Sequence, residues 1–193
     1  PLDFFGQIVA TGDFNNDGYM DLAAGVPGES VGALTNAGAV NIMYGKASGL
    51  SAANNQIWTQ DSPGVSAGIG AEAGDEFGSR LTAGDFNGDG YADLAIGAPN
   101  EDVSGSDAIN GGAVNILYGS ASGLTATGSE IWTQDSPGVN TGAGAETNDY
   151  FGKALTAGDF NNDGYVDLAI GAPGEDVFDI NAAGVVNVLY GSA

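Results

Sequence analysis

The chain contains no cysteine and no histidine, and only three basic side chains, Lys46, Arg80 and Lys153, among its 193 residues. Each absence excludes a chemistry. Without cysteine there are no disulfides, no thiol nucleophile and no thiolate zinc site. Without histidine a Ser-His-Asp arrangement is ruled out. Three basic groups cannot neutralise a phosphate backbone, so nucleic acid is excluded as a partner, and anionic membrane surfaces are disfavoured on the same ground. No apolar run approaches the ~20 residues of a membrane span, so no membrane insertion is expected. The opening segment PLDFFGQIVA carries neither a charged n-region nor a long apolar h-region, and it does not read as a signal peptide. Asn-x-Ser/Thr glycosylation sequons are missing as well.

What is present is lopsided. Aspartate and glutamate number 25, the formal net charge is −22, and 34 residues are glycine. That is far above the roughly 7% glycine of average proteins, but no Gly-X-Y period occurs, so a collagen helix is excluded. Apolar residues make up 42% of the chain, too many for a disordered acidic tail. The length is enough to bury a real core.

The order behind the composition is repetition. GDFNNDGYMDLAAGVPGE (12–29), GDFNGDGYADLAIGAPNE (84–101) and GDFNNDGYVDLAIGAPGE (158–175) are near copies, with first aspartates Asp13, Asp85 and Asp159 spaced 72 and 74 residues apart. A Phe-Gly pair precedes each copy, at 5–6, 77–78 and 151–152. A second block follows each: GAVNIMYGKASGL (38–50), GGAVNILYGSASGL (111–124) and GVVNVLYGSA (184–193). A third, IWTQDSPGV, stands identically at 57–65 and 131–139 but does not recur after residue 193. A period of this kind marks a repeat architecture.

Within a unit, Ser79–Gly84, Asp93–Gly97, Ala113–Tyr118 and Ile131–Gln134 are short, β-branched or aromatic, and bounded by Gly, Pro, Asn or Asp. No stretch of helical apolar spacing with caps interrupts them. The expected fold is all-β, each unit a four-stranded antiparallel meander, with the units stacked to bury their faces. The units are 1–74, 75–148 and 149–193, the last lacking its outer strand.

Each unit contains Asp-x-Asn-x-Asp-Gly-Tyr-x-Asp. The three sets are Asp13, Asn15, Asp17, Tyr19 and Asp21; Asp85, Asn87, Asp89, Tyr91 and Asp93; and Asp159, Asn161, Asp163, Tyr165 and Asp167. Side-chain oxygens at positions 1, 3, 5 and 9 and a backbone carbonyl at 7 form the hard oxygen shell that calcium takes. Glycine at position 6 permits the left-handed backbone that wraps a chain around an ion. Three carboxylates so placed repel one another without a cation. An EF-hand is excluded: its bidentate glutamate at position 12 is replaced by Ala24, Ile96 and Ile170. The bland alternative, that Asp-Asn-Gly runs mark hairpin turns, fits one copy better than three with identical acidic positions.

The combination Phe-Gly, Gly-Asp-Phe-Asn-x-Asp-Gly-Tyr-x-Asp-Leu-Ala-x-Gly-x-Pro and Gly-x-Val-x-x-x-Tyr-Gly resembles the FG-GAP repeat, which builds the β-propeller of integrin α-subunits and of many bacterial extracellular proteins. The resemblance covers essentially the whole chain. It implies propeller-type blades with about one calcium ion per repeat, three in all, in the loop between the first and second strands. The Phe-Gly and Gly-Ala-Pro segments would pack blade on blade. It also implies an extracellular or cell-surface location. Propellers use roughly 4–8 blades, so three cannot close a ring, and the body is expected to be open or completed by partner chains. The edge Val185–Tyr190 invites pairing with another chain.

Other features have bland counterparts. Asp102-Val103-Ser104-Gly105-Ser106 matches the Asp-x-Ser-x-Ser start of a metal-dependent adhesion site, but in one repeat only. Glu29, Glu101, Asp102, Asp107, Glu175, Asp176 and Asp179, after each Gly-x-Pro, are expected to form a solvated acidic rim. Trp58 and Trp132 are expected to pack between units rather than stack on sugars. No catalytic residue is expected, because acids that repeat with the units do not make a unique site. The function expected is a calcium-stabilised, non-enzymatic extracellular scaffold for adhesion or self-assembly. Its partners would be other copies or further FG-GAP repeats. The alternative is a ligand-binding or accessory propeller domain of a larger secreted adhesin or enzyme, with an extracellular protein or carbohydrate ligand.

Overall fold

A computed structural model describes residues 2–65, 69–103, 108–139 and 144–192. Eleven strands form three antiparallel sheets, and no helix occurs among the described residues. The first sheet contains β1 (Val9–Gly12), β2 (Asp21–Val26), β3 (Ala39–Tyr44) and β4 (Ser51–Trp58), in that spatial order. The second contains β5 (Arg80–Gly84), β6 (Asp93–Ala98), β7 (Ala113–Tyr118) and β8 (Thr125–Trp132), again in sequence order. The third stops at three strands: β9 (Ala154–Gly158), β10 (Asp167–Ala172) and β11 (Val185–Leu189). The expected four-stranded meanders are therefore present in the first two sheets, and the third has three strands.

The second strands of the first two sheets are buried on both faces, which explains their composition. Residues DLAAGV and DLAIGA are small or apolar without alternation, the pattern of a doubly covered strand. A Cβ on Gly25 would stand 2.0 Å from the carbonyl oxygen of Gly78, and one on Gly97 2.5 Å from that of Gly152. The backbone of the following sheet thus passes directly over these glycines, so a side chain there is excluded by contact, not by conformation.

The core lies between sheets rather than inside any one of them. Phe14, Val40 and Ile42 of the first unit pack with Phe77, Leu94, Ile96 and Leu117 of the second, flanked by Trp58. The same arrangement recurs one unit on, where Phe86, Val114 and Ile116 meet Phe151, Leu168 and Ile170, flanked by Trp132. The tryptophans therefore serve packing, as the sequence led us to expect. Strands β1, β5 and β9 lie beside one another, so the first strands of the sheets share one side of the stack. The Phe-Gly segments make the backbone link between units: the amides of Phe77 and Phe151 donate to the carbonyls of Ala37 and Gly111 at 3.0 and 2.9 Å.

The outer strands are longer than expected. β4 and β8 begin at Ser51 and Thr125, well before the Ile-Trp pairs at 57–58 and 131–132. Both pair with their neighbours across a register shift, between Ile42 and Tyr44 and between Ile116 and Tyr118. Their first halves are small or polar and largely exposed, with Ala126 alone packed on the core, so they carry no apolar alternation to read.

Candidate metal loops and a buried acidic junction

Each Asp-x-Asn-x-Asp-Gly segment is a loop between the first and second strands of its sheet, and its polar side chains fold back onto its own amides. The carboxylate of Asp13 accepts the amides of Asp17 and Gly18, that of Asp85 those of Asp89 and Gly90, and that of Asp159 those of Asp163 and Gly164, at 2.8–3.1 Å. Asn15, Asn87 and Asn161 accept the same position-5 amides through Oδ1. Asp17, Asp89 and Asp163 accept the amides of Tyr19, Tyr91 and Tyr165, all at 2.9 Å. Two residues per loop hold a left-handed backbone: position 6 (Gly18, Gly90 and Gly164, φ 87, 90 and 96°) and position 4 (Asn16, Gly88 and Asn162, φ 53, 71 and 61°). Position 4 is thus a second constrained site, visible in the sequence only as an Asn/Gly alternation.

Position 9 is different from the rest. Asp21, Asp93 and Asp167 are fully buried, and each uses both oxygens on backbone amides. Asp21 accepts from Phe14 and Gly45, Asp93 from Phe86 and Gly119, and Asp167 from Phe160 and Gly191, at 2.8–2.9 Å. This carboxylate therefore ties the loop to the end of the third strand. Burial pushes Asp93 up to about 6, against the opposing pull of the Gly119 and Phe86 amides, with Asp89 and Asp85 adding repulsion. Asp21 is raised for the same reasons, burial first, with Asp13 and Asp17 contributing.

These loops fit a hard divalent cation by donor chemistry. They offer only oxygens, three carboxylates per loop repel one another, and no cationic side chain is among the groups that act on Asp21 or Asp93. As the side chains stand, turned onto amides, no three carboxylates converge to ligand distance among the described residues.

A second acidic cluster lies at the junctions between sheets. Glu101 and Glu175 are buried, not solvated, which corrects the expected acidic rim at those two positions; Asp102, Asp176 and Asp179 do face solvent. Gln60 donates its side-chain amide to Glu101, and Gln134 donates to Glu175. The reason for the burial is the neighbouring unit, whose outer-strand turn covers the glutamate. Burial raises Glu101 to about 8, reinforced by Asp75, and raises Asp75 and Asp149 to about 6. Ser104, Gly105, Ser106 and Asp107, and with them most of the Asp-x-Ser-x-Ser match, lie outside the described residues. Asp102 at its start accepts the amide of Asn110 at 2.8 Å. No helix among the described residues is long and apolar enough to cross a membrane.

Comparison with known proteins agrees with this architecture. A family model described as the FG-GAP repeat matches residues 5–43, 77–114 and 151–189, one match in each sheet. The chain is 34% identical over 173 residues to phosphatidylinositol-glycan-specific phospholipase D of Rattus norvegicus, covering 90% of this chain and 19% of that protein. It is 35% identical over 190 residues to integrin alpha-PS5 of Drosophila melanogaster, covering 96% of this chain and 17% of the relative. Integrin alpha-3 of Cricetulus griseus is 31% identical over 196 residues, with 96% and 16% covered. The chain thus spans less than a fifth of the length of these relatives. Three matched repeats, three propeller-type sheets and similarity along nearly its whole length place this chain in the FG-GAP repeat family.

Proposed function

We propose that the chain is a non-enzymatic, calcium-stabilised repeat scaffold of the extracellular or cell-surface space, working joined to further FG-GAP blades in copies of itself or in neighbouring repeats. Units 1–74, 75–148 and 149–193 act as its blades, and each holds one calcium ion. The ligands are Asp13, Asn15, Asp17, Tyr19 and Asp21 in the first loop, with the matching sets headed by Asp85 and Asp159 in the others. Calcium binding is then part of the folding free energy, since the loop carboxylates repel without it.

The observation that carries this reading is how unevenly equivalent positions are covered. Phe77 and Phe151 are 0% exposed beneath the preceding sheet, while Phe5, at the same place in the first unit, is 61% exposed. At the other end Phe160 is 51% exposed where Phe14 is 0%, and Val186 70% where Val40 and Val114 are 0%. Gly171 meets only Ala154 of its own sheet, where Gly25 and Gly97 are covered by the next one. Both terminal faces therefore have the composition of a sheet interface and lack the sheet, and β11 is an edge strand.

Sedimentation velocity in calcium and in EDTA tests the proposal. Association beyond the monomer in calcium is the expected result. A sharp, calcium-saturated monomer with a cooperative melt overturns self-association. A second reading, favoured by the small share of its relatives that the chain spans, is a ligand-binding or accessory domain of a larger secreted adhesin or enzyme, recognising extracellular protein or carbohydrate.

A further inference from the structure

At both junctions two carboxyl groups are shut away from water beside a glutamine. Asp75, Glu101 and Gln60 are 2%, 0% and 2% exposed, and Asp149, Glu175 and Gln134 are 1%, 1% and 2% exposed. Each glutamine comes from the turn that follows the outer strand of one sheet. Both acids come from the next unit: the aspartate from the segment leading to Phe-Gly, the glutamate from the turn after the second strand. The glutamine-to-glutamate separation is 41 residues in each case. Asp75 and Asp149 each accept one backbone amide, from Glu72 and Glu146, at 2.5 Å. The carboxyl of Asp149 lies in hydrogen-bonding contact with that of Glu175, and Asp75 acts on Glu101 as the strongest charged neighbour.

What these contacts leave over is oxygen. Gln60 Oε1, Gln134 Oε1 and Glu101 Oε1 are buried without a hydrogen-bond partner. Buried acceptors are nearly always served, so the same orphaned amide oxygen at both junctions calls for a ligand. No cationic side chain is among the groups that act on Glu101 or Asp75; Glu72, Asp102 and Asp61 all add negative charge. A proton shared by two carboxyls serves one oxygen pair and leaves the amide oxygen unserved. A hard cation takes 6–8 oxygens, needs no donor from the protein, and neutralises two carboxylates with one divalent charge.

We propose that each junction is a second class of calcium site, in which Gln60, Asp75 and Glu101, and likewise Gln134, Asp149 and Glu175, clamp one ion between adjacent sheets. It differs from the aspartate loops in its residues and its consequence. A loop ion orders one unit, whereas a junction ion holds two units together.

Isothermal titration of the chelator-treated full chain with calcium chloride tests this. The wild-type chain is expected to bind one ion per junction in addition to any loop ions. Glu101→Gln with Glu175→Gln, which removes charge at nearly constant volume, is expected to lose the junction ions alone. Asp17→Asn, Asp89→Asn and Asp163→Asn report the loop class separately, so the failure of either class shows in the stoichiometry. Gln60→Glu with Gln134→Glu adds a carboxylate to each site and is expected to tighten it by about tenfold. Circular dichroism verifies that each variant folds. An unchanged ion count in the Glu101/Glu175 variant overturns the proposal. So does a Gln60/Gln134 variant that is destabilised in calcium and binds no more tightly, the result expected of a shared proton.

Discussion

The hydroxyl of Tyr44 accepts the backbone amide of Leu124 at 3.0 Å, joining the first sheet to the second across 80 residues. The same hydroxyl donates to Gln56 Oε1 at 2.5 Å, and Gln56 Nε2 donates in turn to the Leu124 carbonyl at 2.9 Å. Two side chains of one sheet thus satisfy both backbone groups of a residue in the next. Burial pushes the Tyr44 hydroxyl up to about 12 from 10.0. The neutral phenol is favoured in the folded state, so its contribution is intact below pH 10 and is lost as pH rises towards 12. The loss is at most about 3 kcal/mol. Tyr44→Phe is expected to flatten that part of the alkaline profile and to cost about 1–2 kcal/mol at pH 7, by orphaning the Leu124 amide. Urea unfolding between pH 7 and 12 measures both, and an unaltered profile in the variant would contradict the assignment.

The Phe-Gly phenylalanines should differ sharply by position. Phe77→Ala and Phe151→Ala remove fully buried rings from the two inter-sheet cores and are expected to cost about 3–5 kcal/mol each. Phe5→Ala, at the uncovered face of the first unit, should stay within about 0.5 kcal/mol under conditions where the chain is monomeric. Equal effects at the three positions would mean that the first face is covered in solution.

Gly112 meets two constraints at once. Its φ is +88°, and a Cβ there would stand 2.3 Å from the Phe151 carbonyl oxygen and 2.5 Å from its nitrogen. Gly184 has φ +73°, but a Cβ there meets nothing nearer than 3.3 Å. Gly184→Ala is therefore expected to cost about 1 kcal/mol from conformation alone. Gly112→Ala should cost several times that, because the Phe151-Gly152 segment must move away. Thermal melts of the two variants side by side give the comparison.

Within a loop, aspartates that serve only the metal loop separate from those that also cap strand-end amides by their behaviour without metal. Asp89 is exposed and serves only its own loop, whereas Asp93 is buried and caps the amides of Phe86 and Gly119. In EDTA, Asp89→Ala should be nearly neutral. Asp93→Ala should cost about 2–4 kcal/mol, from two orphaned amides. In calcium both are expected to lower Tm. EDTA itself should lower the wild-type Tm steeply, and an unchanged melt would remove the calcium role.

Much of the fold was legible in the residues. Ala113–Tyr118 is bounded by Gly and reads directly as β7, and Asp93-Leu94-Ala95-Ile96-Gly97 as most of β6. The first halves of β4 and β8 were not legible, because Ser51-Ala52-Ala53-Asn54-Asn55 and Thr125-Ala126-Thr127-Gly128-Ser129 bulge out of register with the third strand and carry no apolar alternation. Gln134 read as the end of a strand; its buried partner Glu175 lies in another unit, where no local pattern can point to it.

Sequence alone determined the repeat, the left-handed glycine of each loop and the oxygen-only donor sets. All of these are local properties of short segments, set by backbone conformation and side-chain chemistry. Tertiary structure alone decided which copies of identical motifs are buried. It covers Phe77 but not Phe5 and Phe14 but not Phe160, turns Asp21, Asp93 and Asp167 into struts, and shuts Glu101 and Glu175 beside a glutamine. The physical reason is that each of these outcomes depends on the adjacent sheet, and near-identical repeats acquire different environments only from what stacks upon them.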